Sequence, residues 1–182
     1  EPTRSDFENN LNIQPEELAD YEFGWKYKSE KFYFGSNLYY MNYKNQLVLT
    51  GALDDVGTPI RENSGKSYRK GIELETMLKA SNNFDISTNI SFSKNKNIDY
   101  KTNFNGEVTN WGDTDISFSP NLISSVGLNY SPKKDLYISI LNKFVEDQYM
   151  SNTESVVSKL GSYSTTDLNF ISVSYTHLRA HE

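Results

Sequence analysis

Apolar and polar side chains alternate one by one through much of this chain. Residues 19–28 put Ala19, Tyr21, Phe23, Trp25 and Tyr27 on one set of positions and Asp20, Glu22, Gly24, Lys26 and Lys28 on the other. Wound into a helix they would show no single apolar stripe. Extended, they give one greasy face and one charged face, because successive strand side chains point to opposite sides. Residues 68–80 repeat the pattern, with Tyr68, Ile72, Leu74, Leu78 and Ala80 against Arg69, Glu73, Glu75 and Lys79. Residues 84–93 set Phe84, Ile86, Ile90 and Phe92 against Asp85, Ser87, Asn89, Ser91 and Ser93. Residues 122–130 set Leu122, Val126, Leu128 and Tyr130 against Ser125 and Asn129, with Ile123 out of step. Leu136, Ile138 and Ile140 open a segment over 136–145, and Leu168 and Phe170 mark another near 163–172. Residues 32–50 are richer, with Tyr33, Tyr39 and Tyr43 facing opposite to Phe34, Leu38 and Tyr40. The pattern predicts seven strands.

The connections alternate as well. Ser29-Glu30-Lys31, Ser81-Asn82-Asn83 and Pro132-Lys133-Lys134-Asp135 are tight polar turns suited to hairpins. Between them lie long connections at about 51–66, 95–117 and 146–162. An up-and-down barrel in an outer membrane has this form, with short periplasmic turns and longer extracellular loops. A soluble sandwich has no reason to keep its long loops at one end. The expected fold is therefore all-β, an antiparallel up-and-down transmembrane β-barrel, present in part as about seven strands of a larger barrel. Residues 19–28 would run down to the periplasm and the long connections would face outward. Pro15-Glu16-Glu17-Leu18 is read as one helical turn in a loop.

Composition narrows this reading without replacing it. Aromatics make up 14% of the 182 residues, with 13 Tyr and 10 Phe, enough for the ring girdles of a barrel. No apolar run approaches the roughly 20 residues of a membrane helix. The net charge of −6 comes with no cluster of Lys and Arg, so nucleic acid is not an expected partner. The chain has no cysteine, which removes disulfides, thiolate metal sites and cysteine nucleophiles. An odd strand number with both edges open reads as an internal piece, since edges in hydrocarbon cannot stay unpaired. Residues 173–182 are expected to be a non-native tail: Ser174–Glu182, SYTHLRAHE, lacks alternation and resembles a translated sequencing adapter.

Several stretches carry a family resemblance. Glu1-Pro2-Thr3-Arg4-Ser5-Asp6-Phe7, Pro15-Glu16 and Asp20-Tyr21-Glu22-Phe23-Gly24 resemble TonB-dependent receptors of the Bacteroidetes. So do Asn37–Val48, Gly65–Glu75, and Asn142-Lys143-Phe144 with Gln148-Tyr149-Met150. The resemblance covers about residues 1–172 and lies closer to the iron–siderophore branch than to the glycan-importing starch-utilisation branch. It implies a barrel of about 22 strands with a plug in its lumen, located in the cell outer membrane. Substrate would bind to outer loops and plug, and TonB would pull on the plug. Residues 1–172 would then be a partial receptor barrel. The implied partners are outer-membrane lipid, a small-molecule substrate such as a ferric siderophore, and TonB acting through an N-terminal part beyond this sequence. No cofactor is implied.

Candidate site residues follow from position. Arg69, Glu73 and Glu75 share the polar side of one strand and are expected to face the lumen, since a charge costs roughly 2–4 kcal/mol at the lipid-facing midplane. Arg61, Trp111 and Tyr149, a cation and two large rings in outer loops, are the candidates for ligand contact. Tyr21, Trp25, Tyr27, Tyr33, Tyr39 and Tyr43 read as girdle rings before ligand-stacking ones. Asp54-Asp55 and Asp113/Asp115 lack the spacing of a calcium loop, so no metal site is expected. No catalytic residue is assigned: a Ser–His–Asp arrangement needs a histidine, and His177 and His181 both lie in the suspect tail. The expected function is import of a scarce nutrient, and the chain is not expected to be an enzyme. The alternatives are a passive or adhesive outer-membrane barrel, a glycan importer, or a soluble β-sandwich that buries its apolar faces against each other.

Overall fold

The computed structural model describes residues 2–104 and 107–173. Helix α1 (Arg4–Asn9) precedes β1 (Glu17–Lys28), β2 (Phe32–Lys44), β3 (Leu47–Leu53), β4 (Pro59–Asn63), β5 (Lys66–Ser81) and β6 (Phe84–Phe104). There follow β7 (Glu107–Asp115), β8 (Leu122–Lys133), β9 (Leu136–Val145), β10 (Gln148–Tyr149), a 3₁₀ turn (Val156–Ser158), β11 (Lys159–Leu160) and β12 (Tyr163–Ser172). The main sheet runs β1-β2-β5-β6-β8-β9-β12, and each neighbour pair is antiparallel. These seven strands match the seven alternating segments of the sequence.

Register shows why alternation sufficed. Phe23, Leu38, Ile72, Phe92 and Leu122 are successive cross-strand partners, forming one apolar row over five strands. One residue away on the opposite face, Glu22, Tyr39, Gly71 and Ser93 form a polar row. The side-chain period of a strand is two, so a one-residue slip would exchange the faces along a whole strand. The apolar face has no protein layer over it among the described residues: Phe23 stays 70% exposed, Leu168 69% and Phe170 66%. A β-sandwich buries that face against a second sheet, so the sandwich alternative does not describe this arrangement.

One local expectation is corrected. Residues 15–18 do not make a helical turn, because Glu17 and Leu18 already pair with Lys44 and Tyr43. The helix lies earlier, where Thr3 caps it: the Thr3 hydroxyl accepts from the Asp6 amide and the Asp6 carboxylate accepts from the Thr3 amide. This capping box satisfies amides that a helix start otherwise leaves unpaired. The long connections carry strands of their own. β3 and β4 form a hairpin, and β6 runs past the main sheet to pair with β7. Lys94-Asn95-Lys96-Asn97 shows no apolar alternation: Asn95 and Asn97 are buried through polar contacts and Lys96 is paired with Asp115 and Glu154. Val173, the first residue of the expected tail, donates its amide to Asp135 O at 2.9 Å. Residues 174–182 lie outside the described residues.

Candidate functional site

The polar face is hollowed. Lys26 of β1, Tyr33 and Asn37 of β2, Glu73 and Glu75 of β5, Asn89 and Ser91 of β6, Ile123 and Ser125 of β8, and Leu141 and Lys143 of β9 line a depression of about 490 Å³. A single sheet lines one hollow from six strands only if it curls toward that face. Ile123, out of step in the sequence, and Leu141 are apolar side chains on this face, separated by the Ser125–Lys143 pair. A second hollow of about 410 Å³ shares Asn37, Glu73, Ser91 and Ile123 and continues to Glu22, Tyr39, Met41, Arg69 and Asn95.

Residues 116–121 roof the second hollow. Arg69 Nη1 donates to Ser119 Oγ at 3.0 Å, Ser93 Oγ donates to Pro120 O at 3.0 Å, and the Ser93 amide donates to Asn121 O at 2.8 Å. Phe118 sits at φ 52°, an unusual conformation for a bulky residue, and its amide donates to Tyr149 O at 2.8 Å. The strained turn thus tips this segment over the polar face while β10 holds its outer side. Beneath it, Tyr39 lies across Gly71: a Cβ at Gly71 would sit 2.4 Å from Phe92 O and 2.7 Å from Tyr39 Oη. Only glycine leaves room there for the ring.

Above the sheet the three long connections and the N-terminal segment form one layer. Asp6, with 0% side-chain exposure, is held by Arg61 Nη2 at 2.7 Å, Arg61 Nε at 3.2 Å and the Arg61 amide at 3.0 Å. Burial pushes the Asp6 carboxyl up, but hydrogen bonds from the Thr3 amide, Arg61 and the Thr3 hydroxyl outweigh it and hold the group well below the usual carboxylate range. Ser5 Oγ donates to Asp54 Oδ2 at 2.6 Å, and Asn63 Nδ2 donates to Gln14 O at 2.9 Å and Asn45 O at 2.8 Å. The β3–β4 hairpin reaches the second connection where Tyr100 Oη donates to Glu62 Oε1 at 3.3 Å. Burial raises the Glu62 carboxyl, and the Tyr100 hydrogen bond offsets part of that. Burial, with the adjacent Glu62 carboxylate, pushes the Tyr100 phenol far up.

The second connection is tied to the third at a buried polar hub. Asn97 Nδ2 lies 3.3 Å from Thr114 Oγ1 and from Asn152 Oδ1, which also accepts from the Ser117 amide at 2.9 Å. Lys96 Nζ bridges Asp115 Oδ1 at 2.6 Å and Glu154 Oε1 at 3.2 Å.

The expected site residues fall in two places. Glu73 and Glu75 border the first hollow, and Arg69 and Glu73 border the second. Arg61, Trp111 and Tyr149 lie in three different connections, each with a partner of its own. Arg61 grips Asp6, so its guanidinium fastens the N-terminal segment and is not held out toward a ligand. Trp111 Nε1 donates to Thr102 Oγ1 at 3.0 Å while its ring stays 45% exposed. Lys159 Nζ sits 5.7 Å from the centre of the Tyr149 ring. Asp54 accepts the Val56 and Thr58 amides and Asp115 pairs with Lys96, so both are occupied as loop anchors. Among the described residues no cluster of carboxylates suited to a metal is present. Sequence reasoning missed Lys26 and Lys143, whose strands were recognised but whose juxtaposition needs the curl. It also missed Asp6, which the Thr3-x-x-Asp6 spacing of a capping box would have flagged.

A two-faced antiparallel sheet, hollow on its polar side and capped by a loop layer, is the geometry of a barrel wall. Residues 2–180 match the family described as TonB dependent receptor-like, beta-barrel. The chain belongs to that family. No curated protein matches it. Among solved structures, this barrel segment is similar to the ferric yersiniabactin uptake receptor FyuA of Yersinia pestis, with 16% identity and a TM-score of 0.64, covering 85% of this chain and 22% of that one. It is similar to the siderophore receptor PiuA of Acinetobacter baumannii, with 17% identity and a TM-score of 0.66, covering 86% and 22%. It is also similar to the ferric-catecholate import receptor Fiu of E. coli K12, with 13% identity and a TM-score of 0.64, covering 96% and 24%. At these identities the likeness is one of fold. The TonB-dependent barrel segment spans less than a quarter of the length of these structures.

Proposed function

We propose that this chain is barrel wall and outer loops of an outer-membrane receptor that imports a scarce nutrient, a ferric siderophore, by TonB-driven transport. The observation that carries the reading is the pair of adjoining hollows on one face, the first bordered by Lys26 and Lys143 and the second by Arg69 beneath the roofing segment 116–121. A passive pore has no use for a loop layer tied down by a buried ion pair and a buried amide hub, whereas a receptor must hold capture loops in register over its lumen. Family membership and the iron and siderophore receptors among its structural neighbours favour this cargo. Within it, Arg69, Glu73 and Glu75 face the ligand path, and Trp111 and Tyr149 offer aromatic surface in the loops. Arg61 contributes by positioning.

Growth under iron limitation tests the proposal. A strain lacking the full-length receptor should fail on ferric siderophore as sole iron source and recover when the gene is restored. Restoration carrying Arg69→Ala should recover poorly, with surface display unchanged. Normal growth of the deletion strain on every ferric siderophore offered, together with loss of growth on a glycan, would turn the reading to the starch-utilisation alternative.

A further inference from the structure

Backbone strain gathers at one place in the loop layer. Among the described residues four non-glycine residues have positive φ: Asn45, Asp99, Phe118 and Glu154. The last three flank the buried hub that joins the second and third connections. Asp99 follows Asn97 by two positions, Glu154 follows Asn152 by two, and Phe118 follows Ser117 directly. Aspartate tolerates the left-handed region, but Phe118 and Glu154, both at φ 52°, bear a steric cost there. The hub adds a second cost, because Asn97 is fully buried and its Oδ1 has no hydrogen-bond partner among the described residues. Strain of this kind persists only where surrounding contacts hold it. Those contacts converge on residues 116–121. The Ser117 amide donates to Asn152 Oδ1 at 2.9 Å, the Phe118 amide to Tyr149 O at 2.8 Å, and Arg69 Nη1 to Ser119 Oγ at 3.0 Å. The Phe118 ring itself is 55% exposed, so packing does little to fasten the turn.

We propose that segment 116–121 is a spring-loaded gate over the second hollow, which Phe118, Ser119 and Pro120 border. Its bonds to Arg69, Asn152 and Tyr149 hold it shut. The strain at Phe118 and the unpaired Asn97 carbonyl favour opening once one of those bonds is lost. Opening lets Phe118 leave the left-handed region and lets water reach Asn97 Oδ1. The lever is Arg69, because its partner Ser119 is a neutral hydroxyl, and an anionic group in the hollow is a stronger acceptor for a guanidinium. An anion that takes Arg69 therefore releases the gate above it. The proposal rests on the reading of this hollow as the cargo path, but exchange measured without cargo tests the gate by itself.

Amide exchange at Ser117 in the cargo-free full-length receptor reads the gate, with an unchanged rate at Val126 of β8 verifying that the wall is folded. Phe118→Ala removes the ring but keeps a Cβ at the strained position, whereas Phe118→Gly removes the strain as well. Phe118→Gly should exchange roughly tenfold more slowly than Phe118→Ala, since only the alanine still carries the left-handed cost. Ser119→Ala, which takes away the Arg69 contact, should exchange several-fold faster than wild type. Phe118→Gly/Ser119→Ala should return toward the wild-type rate. In an ordinary flexible loop glycine loosens the segment, so faster exchange in Phe118→Gly than in Phe118→Ala overturns the gate. Equal rates in those two variants, or an unchanged rate in Ser119→Ala, overturn it as well. Citrate, added as a small polyanion at constant ionic strength, should quicken exchange in wild type and leave Ser119→Ala unchanged. No response in wild type, or the same response in both, overturns Arg69 as the lever.

Discussion

The wall and the loop layer are built on opposite principles. In the wall, side-chain parity decides everything: odd positions of β1 meet even positions of β2 on one apolar face, and the ladder carries that choice across seven strands. No particular side-chain partner is required, since each face is set by the apolar or polar character of its residues. In the loop layer the buried side chains are largely polar, among them Asp6, Ser67, Asn97, Thr114 and Asn152, and each depends on one or two named partners. A buried polar group without its partner costs far more than a mismatched apolar contact. The wall should therefore respond to substitutions by face, and the loops by partner.

The largest expected effect tests the wall. Ile90 lies mid-strand on the apolar face between Leu74 and Ser124, whereas its neighbour Asn89 on the polar face lies opposite Glu75. Ile90→Arg should lower the unfolding free energy of the full-length receptor in vesicles by about 2–4 kcal/mol, the cost of Arg at the bilayer midplane. Asn89→Arg adds the same charge one residue away and should change stability by no more than about 0.5 kcal/mol. Equal effects at the two positions, measured from denaturant midpoints, would mean that the apolar face does not meet lipid.

Asp6→Ala tests the loops and comes next. It removes the acceptor for the Thr3 amide and for three contacts from Arg61. Breaking a fully buried pair costs about 3–5 kcal/mol; Arg61 keeps 28% exposure, so roughly 2–3 kcal/mol is expected here. The loss should stay local. Amide exchange in residues 2–14 and 59–63 should accelerate while β8 and β9 keep their protection. Uniform acceleration across the wall would show that the two regions are not independent.

This division also explains what the sequence made legible. All seven strands of the main path could be read from Ala19–Lys28 onward, because a sheet with one apolar and one polar face leaves a period-two trace that needs no knowledge of neighbours. The β6 extension beyond Ser93 left none, since its buried side chains Asn95 and Asn97 are polar and its other face carries Lys94 and Lys96. Arg61 was recognisable as an unusual loop cation, but its partner Asp6 lies 55 residues away and nothing local announces the pairing. Likewise Lys26 and Lys143 share one hollow only because the sheet curls.

A smaller effect is expected at the hub joining the second and third connections. Asn152 is 3% exposed, and its Oδ1 serves both Asn97 Nδ2 and the Ser117 amide. Asn152→Ala leaves two donors to find water and should cost about 1–2 kcal/mol of local stability. That corresponds to an exchange rate at Ser117 roughly tenfold higher, with β1 and β2 unaffected. An unchanged rate would mean that the backbone alone fixes segment 116–121.

The smallest effect separates two contacts within the loop layer by pH. Burial raises the Glu62 carboxyl above its unfolded value, so the folded loop binds more protons than the unfolded chain between the two pKa values. Stability there falls as pH rises through the raised value, and acidification from pH 7 toward about 4.5 should tighten the hairpin against Tyr100. Asp6 has the opposite sign. Its carboxyl is held below the unfolded value, so its contribution is complete above about pH 4 and lost only on further acidification. Val56, 86% exposed at the hairpin tip, is a suitable site for a nitroxide on an introduced cysteine, since this segment has none of its own. Probe mobility should fall slightly between pH 7 and about 5, then rise below about 4. Glu62→Gln should erase the first change and Asp6→Asn the second. A single monotonic loosening on acidification in the wild type would place Glu62 in contact with water instead of under the loop layer.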